Sequence, residues 1–410
     1  MVRLAHVVTI LLVTAALAQA QAPVTTLSLD DAVALALREN PTVRAKQHEY
    51  RATQAQEITA GLRPNPTASY SGDQLGSSSV DPQHFWALEQ PIELGGKRGR
   101  RLDAARAAIR VTAAELDDVR RQTVAQVKRA FTDTLVAEAT LALAGENLRT
   151  IDEVERLQRI RAEKGDISEL ELTRIQVQRF AFERDATDAR QAIAAARIAL
   201  RAAVGPEAVA PDFTLSGELG FRDVPLDAVA LRRRALDARP DLRAAEAARA
   251  RARADRELAR ANAWSDVTPR VAYERIGSAS TYGVGVSVPL RIFDRNQGEI
   301  ARTRAEIDRA DALREAAAVQ VLADVDATLS QVANQREKVL LLRDTYLPKA
   351  QRVRDTVEFA YRRGGVSLLD FLDAQRTYRE TSLEHLRALG AYWAALYQLE
   401  AAVGGPWETR

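Results

Sequence analysis

The chain has no cysteine. This excludes disulfides, thiolate metal sites, a cysteine nucleophile and a lipid-modified N-terminal cysteine. Aromatic residues make up only 5% of it, Met1 is the sole methionine, and there are 20 glycines and 14 prolines in 410 residues. A chain so short of bulky side chains and turn formers is not a string of ordinary globular domains. Its wealth of Ala, Arg, Leu, Glu and Asp fits long helices with narrow packing seams. An excess of one charge is also missing: 58 Lys and Arg face 56 Asp and Glu, a net +2. There is thus no global basic field for nucleic acid and no acidic tail. His6, His48, His84 and His385 are scattered, without metal-ligand spacing. No phosphate loop, nucleophile constellation or paired acid and base appears, so neither an enzyme nor a cofactor site is expected.

What is present starts with a secretory signal. Arg3 supplies a positive start, Leu4 to Leu17 is an apolar run, and small residues around Ala20 and Ala22 fit cleavage. The signal peptide is assigned to 1–22. The run is shorter than the roughly 20 residues a membrane-spanning helix needs, and no later stretch approaches one.

The rest is written twice. Ala36-Leu37-Arg38-Glu39-Asn40-Pro41 returns as Ala235-Leu236-Asp237-Ala238-Arg239-Pro240, and Gly165 to Gly205 aligns without a gap on Gly364 to Gly404, at an offset of about 199 residues. Solenoid units run roughly 20–50 residues, so this period is a whole module in tandem. Repeat 1 spans 23–205 and repeat 2 spans 226–404, joined by a linker at 206–225 and followed by a tail at 405–410. Each reads as helix, strand pair, very long helix, tight break, helix. In repeat 1 a helix capped by Ser28 runs to about Leu62, strands occupy about 66–90, and helices follow over about 99–163 and 166–204. Repeat 2 has a helix over about 226–263, strands at about 269–290, and helices over about 298–363, with a kink at Pro348, and 366–403. A helix of about 65 residues is about 95 Å long and needs neighbours along its whole length. The two shorter helices of a repeat sum to nearly that length, so stacked end to end they fit antiparallel beside it. The strands then lie at one end of a rod and the break at the other.

In the strands, Trp86 and Leu88, and Tyr282, Val284, Val286 and Val288, alternate with small or polar residues. That pattern suits a membrane barrel wall with these six facing lipid, and equally a soluble hairpin capping a coiled coil. Four strands cannot close a barrel, so a barrel reading requires several chains to share one; three would supply about twelve strands.

Several segments together resemble the TolC family of outer-membrane efflux channels. They are Leu29-Asp30-Asp31-Ala32 through Asn40-Pro41, Pro64-Asn65-Pro66, Gln90-Pro91-Ile92-Glu93-Leu94-Gly95-Gly96-Lys97-Arg98, and Gly364 through Phe371-Leu372-Asp373-Ala374-Gln375. The Gln90–Arg98 segment is most similar to the branch serving cobalt–zinc–cadmium pumps. The resemblance implies a mainly α fold of antiparallel coiled-coil helices in two repeats, and a homotrimer sharing one 12-stranded barrel in the outer membrane. It also implies a helical tunnel in the periplasm that meets a periplasmic adaptor and an inner-membrane transporter of the resistance–nodulation–division type. A type I secretion or drug-efflux duct shares this fold; a periplasmic adaptor or scaffold is the rival of another class.

The same resemblance gives roles to the breaks. Gly165, Ile167, Ser168 and Leu170, with Gly364, Val366, Ser367 and Leu369, are tight turns that become adaptor-docking tips. Asp370 and Asp373, three apart on one helix face, cap a helix or line the periplasmic entrance, with Arg362, Arg363 and Arg376 as candidate partners. Glu171 and Arg174 hold the equivalent places in repeat 1. The basic run Lys97, Arg98, Arg100 and Arg101 reads as a solvated helix start at the membrane boundary rather than a nucleic-acid patch.

Overall fold

The computed structural model describes residues 24–76 and 79–406; the signal segment and the end of the tail lie outside them. Repeat 1 contains β1 (Val24–Ser28), α1 (Leu29–Glu39), α2 (Pro41–Gly61), β2 (Thr67–Asp73), β3 (Gln83–Glu89), α3 (Lys97–Glu163) and α4 (Glu169–Val204). Then come β4 (Val209–Ser216), α5 (Ala228–Ala238), α6 (Pro240–Ala261), β5 (Thr268–Ile276), β6 (Ala279–Ser287), α7 (Gln297–Leu341), α8 (Leu347–Arg362) and α9 (Leu368–Ala402). At 67 residues, α3 is about 100 Å long. Toward the sheet the helices form a layer in the order α2, α3, α6, α7; toward the tips α3 packs between α4 and α9. No helix among the described residues is long and apolar enough to cross a membrane.

The opening helix of each repeat is broken, where the sequence pattern suggests one continuous helix. Asn40 and Arg239 precede proline, whose ring pushes them into extended backbone, ψ 126° and 122°. The break becomes a joint. Asn40 caps α2 by accepting from the Thr42 and Val43 amides (2.9 and 3.3 Å) and donates to the Ala203 carbonyl at 2.7 Å. Arg239 donates to the equivalent Ala402 carbonyl at 3.2 Å, and pairs with Asp241 (2.6 Å) and Asp324 (3.0 Å). The left-handed Gly205 (φ 133°) and Gly404 (φ 89°) end α4 and α9 directly against the backbone of Glu39 and Ala238.

The expected linker is largely structured. β4 lies in it and pairs in parallel with β1, Leu27 beside Leu215. Leu27, Val209 and Phe213 join Val127, Phe131 and Leu200 in the repeat 1 core. Past β4, the Arg222 and Gly220 carbonyls accept from the Tyr392 hydroxyl and the Trp393 indole, each at 2.8 Å. Repeat 2 has the matching core, with Ala235, Leu399, Ala402 and Val403 in the places of Ala36, Leu200, Ala203 and Val204.

The second long helix is interrupted at the expected place, near Pro348. A π-helical turn at Leu342–Tyr346 separates α7 from α8 just before Pro348. Proline has no N–H for the preceding turn and its ring crowds that turn's carbonyl; the wider π turn relieves both.

Candidate functional sites at the hairpin tips and in the sheet

At the tips, sequence and structure agree on the turns. Gly165 (φ 81°) and Gly364 (φ 78°) take the left-handed position after α3 and α8. The following amides close back onto the helix end, Asp166 to the Arg161 carbonyl and Gly365 to that of Ala360, both 2.9 Å. Ser168 and Ser367 then cap α4 and α9. Leu170 and Leu369 are exposed at 62% and 74%, a solvent-facing apolar residue on each tip. Behind the turns, Ile151, Val154, Ile175, Phe182, Tyr361 and Phe371 bring all four tip helices into one core, with the Tyr361 and Phe371 rings stacked at 4.9 Å. Gln158 donates to the Tyr361 hydroxyl, and burial pushes that phenol up to about 12.

The two acids have different surroundings. Asp370 completes a capping box, accepting from the Ser367 hydroxyl (2.7 Å) and amide (3.1 Å). Those bonds, the hydroxyl's first, hold its carboxyl below the usual range. Asp373 is exposed and pairs with Arg376 at 2.6 Å. Both line a groove of about 430 Å³ between α8 and α9, with Tyr346, Lys349 and Thr377. Two expected partners go elsewhere. Arg362 reaches Glu358 (2.7 Å) and Glu153 (3.6 Å), and Arg363 lies over the Phe359 ring at 4.1 Å. At the end of α8 they have nearer acids and a nearer ring than the first turn of α9. Glu171 and Arg174 line a separate groove, beside Ser367, Leu369 and Leu372.

At the other end, β2, β3, β5 and β6 form one antiparallel sheet in that order, leaving β2 and β6 as edges. Cross-strand register sets Tyr70, Trp86, Tyr273 and Tyr282 in one row, and Ala68, Leu88, Val271 and Val284 in the next on the same face. Val286 continues that face. Val288 falls one residue past β6, before Pro289, which cannot donate to a ladder. Successive rings in the aromatic row are 5.2, 5.4 and 5.1 Å apart. Tyr70 and Tyr273 do not stand out in the sequence because serine and charged neighbours blur the alternation in β2 and β5. The opposite face carries Ser69, Ala87, Ala272 and Gly283 in one row, and Glu89 beside Arg270 (3.5 Å) in another.

The basic run at the sheet–helix junction is consumed by structure. Lys97, buried, pairs with Asp266 at 2.6 Å, Arg98 donates to the Gly61 carbonyl at 2.6 Å, and Arg101 pairs with Glu93 (Nη2 to Oε2, 2.9 Å). Arg100 sits 3.6 Å from Asp103. Gln90 donates to the Pro64 and Pro91 carbonyls, while Gly95 lies against the Trp264 ring. The Gln90–Arg98 segment therefore knits β3, α2 and α3 to the start of β5. Among the described residues no group of three or more His, Cys, Asp or Glu is placed to hold a metal ion.

The outer membrane efflux protein family matches this chain twice, at residues 32–206 and 231–405. The chain belongs to that family. The two matched segments lie 199 residues apart, the offset of the tandem repeat. Among its relatives, the cobalt-zinc-cadmium resistance protein CzcC of Cupriavidus metallidurans is 27% identical over 92% of this chain and 90% of its own length. The pyoverdine export outer membrane protein OpmQ of Pseudomonas putida is 26% identical over 89% of this chain and 76% of its own. In fold, the channel is similar to the Campylobacter jejuni CmeC outer membrane channel, with a TM-score of 0.78 at 14% identity, covering 92% of this chain and 85% of that one. The protein is an efflux channel of the outer membrane, and its architecture is that of the TolC-like channels.

Proposed function

We propose that three copies of the chain close into one conduit, the passive exit duct of a tripartite pump driven by an inner-membrane transporter. The observation that carries this is the pair of unpaired edges, β2 and β6, in a sheet belonging to an outer-membrane protein. Lipid offers no partner for an open edge, so β6 of one copy must pair with β2 of the next. The face bearing Trp86, Leu88, Tyr282, Val284 and Val286 then meets lipid, and the face bearing Glu89 and Arg270 lines the lumen. The helix layer ends on matching flanks, α2 on one side and α7 on the other, which suits a head-to-tail ring.

At the opposite end, Asp370 and Asp373 would recur about the threefold axis as an acidic entrance favouring cations. The exposed Leu170 and Leu369 suit apolar docking of an adaptor at both tips. Heavy-metal cations are the proposed cargo, supported by the CzcC relative and by the Gln90–Arg98 segment. The OpmQ relative supports an organic cargo instead, and tolerance assays separate the two. Expression in a strain lacking its own duct should restore growth on cobalt, zinc or cadmium; restoration of siderophore export alone would overturn the metal reading. The conduit itself is tested by the oligomeric mass in detergent: three chains are expected, and a monomer would sink it. In planar bilayers Asp370→Ala with Asp373→Ala should raise conductance or weaken cation preference; unchanged values would remove the acidic entrance.

A further inference from the structure

We propose that His84, Arg275 and Ser280 form a seat for the phosphorylated sugar headgroup of an outer-leaflet glycolipid, with the aromatic row as its floor. The inference rests on the reading that this sheet face meets lipid, and goes beyond it by naming one lipid class and one set of donors.

His84, Arg275 and Ser280 are neighbours across β3, β5 and β6, one step above the aromatic row toward the hairpin turns. All three share the face of Trp86, Tyr273 and Tyr282. The turns are the sheet end farthest from the helices. With the helices in the periplasm, this row stands at the level of the outer headgroups. Below the rings the face is aliphatic, so the polar row is a distinct boundary rather than part of a mixed surface.

The row is held in place from beneath. The Tyr70 hydroxyl bonds His84 Nδ1 at 3.0 Å, and the Tyr273 hydroxyl bonds Ser280 Oγ at 2.9 Å. The His84 ring also stacks beside Tyr70 and Trp86, at 6.2 and 5.7 Å. Between them, Arg275 is anchored by its Nε, which donates to the Gly277 carbonyl at 3.1 Å, while its two terminal nitrogens make no hydrogen bond among the described residues. Arg275 forms no ion pair among the described residues, unlike Arg270 on the opposite face, which has Glu89.

A fixed guanidinium flanked by a hydroxyl and an imidazole is a donor set for phosphate oxygens. Aromatic faces beneath it suit the apolar faces of sugar rings. A phospholipid supplies the phosphate but no rigid sugar for the ring floor. Glycolipid phosphates attached directly to sugars match both features, which is why that class is assigned.

Native mass spectrometry of the full chain in detergent tests this with diphosphorylated lipid A, dephosphorylated lipid A and phosphatidylglycerol at equal concentration. Diphosphorylated lipid A should be retained preferentially. Arg275→Ala with Ser280→Ala should lower its retention by roughly tenfold, as for loss of charge-assisted hydrogen bonds. Arg291→Ala, four residues past the opposite end of β6, should leave retention unchanged. Equal retention of all three lipids, or unchanged retention by the double variant, overturns the seat. A solvent-sensitive probe on Val284→Cys, the only thiol in the chain, reports separately on the face. A lipid environment there without lipid A preference defeats only the seat, whereas an aqueous environment defeats the face reading itself.

Discussion

Asn40 and Arg239 hold the same place in the two repeats and reach the same carbonyl, that of the penultimate residue of α4 or its equivalent in α9, by different chemistry. Asn40 is a neutral cap satisfied by two amides and one carbonyl. Arg239 is a buried cation, 4% exposed, that needs both Asp241 and Asp324. Burial opposes ionisation of Asp241, yet Arg239 outweighs it and holds the carboxyl below its usual value. Duplication thus preserved a joint while letting its energetics diverge: one repeat depends on a cap, the other on a charge network. Removing the network should show the larger difference. Arg239→Ala strands two partly buried carboxylates and should cost about 3 kcal/mol, whereas Asn40→Ala should cost about 1–2 kcal/mol. Thermal unfolding of the full chain checks the order; equal losses would mean the two joints are energetically alike.

The glycines beside these joints sharpen the same contrast. A Cβ on Gly404 would come within 2.9 Å of the Ala238 carbonyl carbon, and one on Gly205 within 3.2 Å of Glu39. Both positions have positive φ, so alanine is strained at each, but repeat 2 adds the harder backbone clash. Gly404→Ala should therefore cost about 2 kcal/mol and Gly205→Ala about 1 kcal/mol, read from the same unfolding curves.

Features set by neighbouring residues are legible in the sequence. The left-handed glycines at 165 and 364, the serine caps and the outward alternation of β6 all rest on short stretches of chain, and the tandem repeat needs only the matching of such stretches at one offset. Features that need distant partners are not legible there. β1 is five residues long and exists through pairing with β4, more than 180 residues later. Sequence proximity pairs Arg362 and Arg363 with the tip acids, but helix geometry aims them at Glu358, Glu153 and Phe359. The aromatic row is invisible in any one strand because it takes one residue from each of four. The breaks at Pro41 and Pro240 are an intermediate case: each X-Pro step carries the signal, but the helical periodicity on both sides masks it.

The long helices supply a subtler comparison. Gly145 lies midway along the π turn's counterpart in repeat 1, 199 residues before Asp344. Both repeats therefore weaken the long helix at one level, by a glycine in the first and by a π turn before Pro348 in the second. Packing does not require the glycine, since its nearest contact would be the Arg149 guanidinium at 3.8 Å. Gly145→Ala should stabilise the chain by about 0.5–1 kcal/mol. A destabilising result would show that close helix approach, absent here, governs that position.

The smallest contrast is at the tips. Ser168 accepts from the Glu171 amide at 3.3 Å, a one-way cap, whereas Ser367 and Asp370 satisfy each other in both directions. Asp370→Ala should speed amide exchange at the start of α9, and Glu171→Ala should leave the start of α4 unchanged. The pH dependence has a definite sign. Because the folded carboxyl of Asp370 titrates below its unfolded value of 3.8, its contribution is full above that pH and is lost as pH falls through the lower folded value. Acidification should therefore loosen the α9 tip relative to the α4 tip once intrinsic exchange rates are divided out. If both tips loosen together, the reciprocal cap is not what separates them, and the difference between the repeats at the tips reduces to the exposed Asp373–Arg376 pair.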